Sequence, residues 1–211
     1  MNRGLLSRLA ARAASIVLVA GAMSVGTAIA APVAEIAPDD PPVVAVRSKP
    51  EVYLLRGFAD VFSAGLDQMG ASLVSQGVDV HVQNHMTWQS VARRIIRDRQ
   101  EKGASRVILV GHSLGANAVI RIAEELQRRG IAVDQLITLA ATDPRPVPAN
   151  VRRAVNYYFE TNGWGRRLVP AAGFRGKLVN KDYSNSAGHF NIDKQPLVQA
   201  EILSLVTAAL Y

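Results

Sequence analysis

One ten-residue segment, residues 106–115, restricts the possible folds of this chain more than any other. It reads RVILVGHSLG, in which the apolar and mostly β-branched run Val107–Val110 leads without a linker into the pentapeptide Gly111–Gly115. Such a run is typical of a strand that is buried on both faces of a sheet. An amphipathic helix begins directly after the pentapeptide, so a tight turn with Ser113 at its apex must join the strand to the helix. The two glycines allow the strand and the helix to approach closely around that turn.

The first 30 residues have the pattern of a secretory signal peptide. Three arginines lie within the first twelve residues, an apolar stretch begins near residue 13, and an A-x-A cleavage site stands at positions 28–30. We therefore predict cleavage after Ala30 and a secreted or periplasmic location, with no stable membrane insertion afterwards. Loss of the three arginines lowers the formal net charge from +7 to +4. The apolar stretch is near the shortest length that spans a membrane, about 17 residues, so a retained anchor is the alternative.

The remaining sequence divides into a linker and one domain. Residues 31–50 carry five prolines and show little periodicity, which predicts an exposed N-terminal linker. Residues 51–211 are long enough to form a single domain with its own core. The chain has no cysteine, which excludes a disulfide scaffold and a lipid-anchored lipoprotein.

Strand and helix patterns alternate along the predicted domain. Short apolar or alternating runs begin near residues 51, 78, 107, 135, 154 and 176, and helical periodicity follows most of them. Pro196 opens a last helix that runs towards the C-terminus. This alternation predicts an α/β fold with a mostly parallel sheet of about five to six strands and helices on both faces.

The pentapeptide has the form G-x-S-x-G, which in a strand–turn–helix context carries a nucleophilic serine. A serine hydroxyl is a weak nucleophile and needs an adjacent base, itself oriented by a third group. The usual chain order in this context is serine, then acid, then histidine. His189 is the sole histidine downstream of Ser113 and lies in a loop just before the last helix. We therefore predict Ser113 as nucleophile and His189 as base; His112, inside the turn, is expected to point away from Ser113.

Several carboxylates could orient the histidine. Asp143 follows the fourth predicted strand, at the edge of a parallel sheet where ligands bind, and we favour it as the acid. Glu160, after the fifth strand, and Asp182 are the alternatives. Asp193 follows His189 and so breaks the expected order. Asp143 precedes a proline, and such an aspartate could also serve as a turn residue.

The transition state of acyl transfer needs two donors facing the developing oxyanion. We predict that the main-chain N–H of Leu114, directly after the nucleophile, is the first donor. The second is expected from the loop after the first strand, where Phe58 follows Gly57.

From Val52 to Tyr211 the chain resembles small secreted α/β-hydrolases of the bacterial lipase and esterase type. Four segments carry the resemblance: GHSLGANA at 111–118, LLRGFADVFSAGL at 54–66, TLAATDP at 138–144 and AGHFNID at 187–193. The resemblance implies a minimal α/β-hydrolase fold and a serine hydrolase that cleaves a small-molecule or lipid carboxylic ester without metal or cofactor. It implies Ser113 as nucleophile, Asp143 as acid and His189 as base. Arg56 stands where relatives have histidine before the glycine of the oxyanion loop, and no long lid insertion is present.

Other interpretations of the same chain lead to different functions. The fold could belong to a binding protein that has lost the chemistry, because fold does not guarantee function. The same triad could also serve an acyltransferase or a peptidase. His81 and His85 have a spacing that could bind a metal on a helix, but the alternation around them favours a strand and a structural role. The basic stretch at 93–106 is expected to be a solvated helix face rather than a nucleic-acid contact.

Overall fold

The computed structural model describes residues 49–58, 63–103, 105–161 and 164–211. The predicted signal peptide, and the linker up to residue 48, lie outside the described residues. None of the helices in the described ranges is long and apolar enough to cross a membrane. The strands are β1 Glu51–Arg56, β2 Asp79–Asn84, β3 Val107–His112, β4 Gln135–Leu139, β5 Arg153–Tyr158 and β6 Lys177–Asp182. The α-helices are α1 Ala64–Ser75, α2 Trp88–Lys102, α3 Leu114–Arg128 and α4 Pro196–Leu210, with short 3-10 turns at His85–Thr87 and Ile192–Lys194.

The six strands form one sheet in the order β2-β1-β3-β4-β5-β6, and every neighbouring pair is parallel. The predicted α/β class with a parallel sheet is therefore confirmed. The chain moves outward from β1 to β2 and then returns to place β3 on the other side of β1. That reversal makes a crevice at the carboxyl ends of β1 and β3, the place where open parallel sheets bind ligands.

Apolar side chains from alternate positions of the central strands form two separate cores. On one face, Tyr53 and Leu55 of β1 pack with α2 and α3. On the other face, Val52 and Leu54 pack with α1 and α4. Both faces are covered because the side chains of a strand alternate between them, which explains the continuous apolar runs of β1 and β3. The central strands are thus rigid supports for the loops at their carboxyl ends.

Candidate active site

Ser113 occupies a strained turn between β3 and α3. Its backbone has φ +57° and ψ −121°. Residues other than glycine rarely adopt this conformation, which costs roughly 1–3 kcal/mol. The Ser113 N–H donates to the Leu139 carbonyl at 2.9 Å, which fixes the turn against β4. A Cβ on Gly111 would overlap the backbone of Gly115, and one on Gly115 would overlap the Leu55 carbonyl. Both glycines are therefore needed for close packing of β3, α3 and β1.

The structure brings His189 to the nucleophile. Its Nε2 lies 2.9 Å from Ser113 Oγ, and both residues are buried. His189 lies in the loop that leads into the 3-10 turn at Ile192–Lys194 and then α4, so residues 76 positions apart in the sequence meet at the crevice. This is the distance at which an imidazole can take the proton of a serine hydroxyl.

The other ring nitrogen of His189 faces a main-chain carbonyl. His189 Nδ1 lies 2.6 Å from the carbonyl oxygen of Trp164. Since a carbonyl can only accept, Nδ1 carries the proton, and Nε2 of the neutral ring is left to accept the Ser113 hydroxyl proton. Burial lowers the pKa of His189 below its ordinary value, and the bond to Trp164, which favours the charged ring, opposes this effect. His189 is thus held in the tautomer in which Nε2 can accept the proton of the Ser113 hydroxyl.

Among the described residues, no hydrogen bond joins the predicted acid Asp143 to the imidazole of His189. Asp143 is exposed, and its main-chain N–H donates to Asn117 Oδ1 at 3.1 Å, which holds its turn against α3. The alternatives are not at the ring either. Asp182 accepts hydrogen bonds from Ser184 and from the N–H of Glu160. The group at Nδ1 is therefore the Trp164 carbonyl, where the sequence predicted a carboxylate.

The segment around Gly165 puts the Trp164 carbonyl in that position. The N–H of Arg166 donates to the Ala141 carbonyl at 2.7 Å, and the N–H of Phe159 donates to the Gly165 carbonyl at 3.0 Å. A Cβ on Gly165 would lie 2.7 Å from the Phe159 ring and 3.0 Å from Ala140 Cα. The segment is thus pinned against the carboxyl end of β4, the edge from which an acid was expected to reach the histidine.

Asp193, the carboxylate that follows His189, has a structural contact. It is fully buried, and its Oδ2 accepts the N–H of Gly65 at the start of α1 at 2.8 Å. Burial raises the pKa of this carboxyl above its ordinary value. Asp193 therefore ties the loop after the histidine to α1 and does not reach the imidazole.

The two predicted oxyanion donors belong to residues next to Ser113 or to the loop that contacts it. Leu114 is the first residue of α3, and Phe58 follows Gly57 at the carboxyl end of β1. A Cβ on Gly57 would lie 2.8 Å from Ser113 Cβ, so this loop touches the serine directly. Neither N–H donates to another group within the described ranges.

Two aromatic side chains lie against His189, and a cavity lies beside the residue that follows Ser113. Phe58, Trp164 and Phe190 are each more than half exposed. The rings of Trp164 and Phe190 stand 5.2 and 5.0 Å from the His189 ring. On the α3 side, a cavity of about 330 Å³ lies against Leu114 and extends to the guanidinium-bearing Arg121.

The metal-binding interpretation of His81 and His85 has no support in the geometry. His81 stacks near Tyr53 with ring centroids 4.9 Å apart, and His85 Nδ1 lies 3.1 Å from the Gly57 carbonyl oxygen. No group of three histidine, aspartate or glutamate side chains in the described part of the chain could hold a metal ion.

No protein-family model matches the sequence, and no curated protein matches it significantly. Solved structures do resemble it. Human thioesterase 2 is 12% identical, with a TM-score of 0.50, over 76% of this chain and 95% of that one. A cutinase-like protein from Cryptococcus sp. is 15% identical, with a TM-score of 0.50, over 77% of this chain and 95% of that one. With its parallel six-stranded sheet and its strained serine turn, this chain therefore has the α/β-hydrolase fold.

Proposed function

We propose that the protein is a serine hydrolase that cleaves a carboxylic ester or thioester through an acyl-enzyme on Ser113. The observation that carries the proposal is the directed pair of hydrogen bonds through one imidazole. Ser113 Oγ lies 2.9 Å from Nε2, and the Trp164 carbonyl holds the proton on Nδ1. A strained, buried serine with a base in the correct tautomer is the arrangement that nucleophilic catalysis needs.

In the first half of the reaction, Ser113 Oγ attacks the acyl carbon while His189 Nε2 takes its proton. The carbonyl oxygen becomes an oxyanion, which the N–H groups of Leu114 and Phe58 stabilise. Collapse of the tetrahedral intermediate breaks the bond to the leaving group, and His189 returns the proton to it. Water then repeats the sequence on the acyl-enzyme and releases the acid. No step requires a metal or a cofactor.

The Trp164 carbonyl performs part of what a triad carboxylate does. It fixes the orientation and tautomer of His189, as a carboxylate would. It carries only a partial charge, so it stabilises the imidazolium less than a carboxylate does. This feature favours the second candidate function, a binding protein with little or no turnover. The strain retained at Ser113 and the buried Ser113–His189 bond support the hydrolase.

The surroundings of the pair favour a substrate with an apolar portion. Trp164 and Phe190 present exposed apolar surface beside the His189 ring, and the cavity against Leu114 has room for a small acyl group. We therefore propose a small-molecule or lipid ester as substrate. The names of the similar structures, a thioesterase and a cutinase-like protein, are compatible with this class of reaction.

Hydrolysis of p-nitrophenyl esters of increasing acyl length, set against a p-nitroanilide, tests the proposal. We expect turnover of short or medium esters, much slower cleavage of the anilide, and loss of activity in Ser113→Ala and His189→Ala. The absence of ester turnover above these two variants would contradict the proposed hydrolase and favour the binding protein.

We also propose that the protein is exported and acts outside the cytoplasm after removal of residues 1–30. The supporting pattern is the arginine-containing start, the apolar stretch and the small-residue site at 28–30. N-terminal sequencing of the exported protein should begin at Ala31. An intact Met1 on exported, membrane-bound protein would indicate the retained anchor.

A further inference from the structure

The carbonyl of the peptide unit between Gly57 and Phe58 is held by a hydrogen bond. His85 Nδ1 lies 3.1 Å from the Gly57 carbonyl oxygen, and since that oxygen can only accept, Nδ1 donates. In a planar trans peptide the C=O and the following N–H point in opposite directions. The bond from His85 therefore fixes the direction of the Phe58 N–H as well. That N–H is the second oxyanion donor of the proposed function.

A second chain of hydrogen bonds holds the same loop from within the core. The Gly57 N–H donates to Ser63 Oγ at 2.9 Å, and Ser63 Oγ lies 2.9 Å from His112 Nδ1. His112 Nε2 lies 2.8 Å from the His189 carbonyl oxygen and must donate to it. His112 Nδ1 is then the acceptor of the Ser63 hydroxyl proton, because burial lowers the pKa of His112 to about 4 and keeps the ring neutral. Ser63 and His112 are both fully buried.

These contacts connect the carboxyl ends of three adjacent strands. Gly57 follows β1, His85 follows β2 and His112 ends β3. The Gly57 carbonyl is bonded to His85, and the Gly57 N–H is bonded to Ser63. Rotation of the Gly57–Phe58 peptide would therefore break at least the bond to His85. The loop also cannot shift towards the serine, since it already packs against Ser113.

We propose that His85, together with the Ser63–His112 pair, positions the Phe58 N–H as an oxyanion donor and couples that donor to the loop that carries His189. The inference rests on the proposed hydrolase function and assigns to these three residues the placement of the Phe58 N–H. His85 also lines the cavity against Leu114, whereas Ser63 and His112 do not. All three are positioning residues, and their removal should reduce the rate of the chemical step more than substrate binding.

A matched pair of substitutions at His85 tests the hydrogen bond to the Gly57 carbonyl. Asparagine places an N–H donor near the position of Nδ1, whereas aspartate has the same shape and can only accept. His85 is half-buried, so both variants should fold. We expect H85N to keep kcat within about threefold of wild type and H85D to lose about tenfold or more. The comparison is made on kcat, because His85 also lines the cavity against Leu114 and its substitution can change KM as well. A trifluoromethyl ketone, whose serine adduct carries an oxyanion, should bind H85D more weakly by a similar factor.

Two controls separate this effect from added charge and from lost stability. Ser90→Asp adds a carboxylate at an exposed position in the first turn of α2, five residues after His85, and should leave kcat unchanged. Ser63→Ala should lower kcat as H85D does. Thr138→Val is the control for lost stability. It removes a buried side-chain hydrogen bond of similar length to those of Ser63, from Thr138 Oγ1 to Asn156 Oδ1 at 2.8 Å, and should lower stability without lowering kcat.

The outcomes distinguish the inference from the proposed function. Equal kcat values for H85N and H85D, or an S63A variant no slower than T138V, would overturn the inference while the hydrolase stands. A folded wild type with no ester turnover and no bound ketone would overturn the proposed function and the inference with it.

Discussion

The imidazole of His189 donates its Nδ1 proton to the main-chain carbonyl of Trp164, 2.6 Å away, and not to a carboxylate. This bond replaces the carboxylate of a serine–histidine–acid arrangement with an uncharged acceptor. It leaves the Ser113–His189 contact intact at 2.9 Å. A side-chain substitution at Trp164 keeps this main-chain carbonyl. The role of an acid is therefore tested by substituting the nearby carboxylates one at a time.

Asp143→Asn should leave ester turnover within about threefold of wild type, because the exposed carboxylate does not contact His189. A carboxylate that oriented the histidine would instead cost on the order of 10⁴-fold in kcat. Steady-state kinetics of this variant beside Glu160→Gln measure the difference. A loss above a hundredfold in Asp143→Asn alone would return the acid role to Asp143.

The pH dependence of kcat/KM should reflect a base that is neutral in mildly acidic solution. Burial lowers the pKa of His189 below 6.5, and no carboxylate raises it. The active form is the neutral ring, so the rate should fall only as pH drops through this lowered pKa. We expect the acidic midpoint of the profile below pH 6.5. A midpoint above 7 would indicate that an acid is paired with the imidazole.

Buried His112 should make the fold sensitive to acid. Its pKa is lowered from 6.5 to about 4. Between these two pH values the imidazole is protonated in the unfolded chain and neutral in the native state. By linkage this group alone removes about 3 kcal/mol of unfolding free energy between pH 7 and pH 4. Urea unfolding at both pH values should show a smaller acid-induced loss in His112→Gln than in wild type. Equal losses in the two proteins would contradict a neutral buried His112.

Gly115→Ala should destabilise the fold by about 3 kcal/mol or more, because the new methyl group would overlap the Leu55 carbonyl of the neighbouring strand. Gly188→Ala is the matched control, since its Cβ would meet nothing closer than 3.7 Å. Urea unfolding compares the two variants with wild type. A Gly115→Ala protein as stable as Gly188→Ala would mean that α3 does not pack so closely on β1.

The order of strands and helices could be predicted from the sequence because burial leaves a periodic pattern. Val107–Val110 is continuously apolar since both faces of β3 are covered, and the helices show the spacing of a single buried side. The pairing of Ser113 with His189 followed from chain order and from the small number of histidines. These features depend on side-chain type, which the sequence states directly.

The remaining parts of the site depend on loop conformation. The Trp164 carbonyl has no sequence signal, because every residue carries one and its placement depends on Gly165 packing at the end of β4. Ser63 stands before α1, where a serine would be expected to cap the helix, yet its side chain makes no cap bond and serves the Gly57–His112 chain. His85 followed a strand pattern and acquires its partner only when β1 and β2 pair.

Reaction with a fluorophosphonate probe, followed by mass spectrometry of the digested protein, tests the central claim most directly. The probe phosphonylates a serine only when an adjacent base and an oxyanion site activate it. We predict a single adduct on the peptide that contains Ser113, slower labelling in His189→Ala and none in Ser113→Ala. A wild type that unfolds cooperatively, and so is folded, but carries no adduct on Ser113 would contradict the assignment of Ser113 and His189 as a nucleophile and its base.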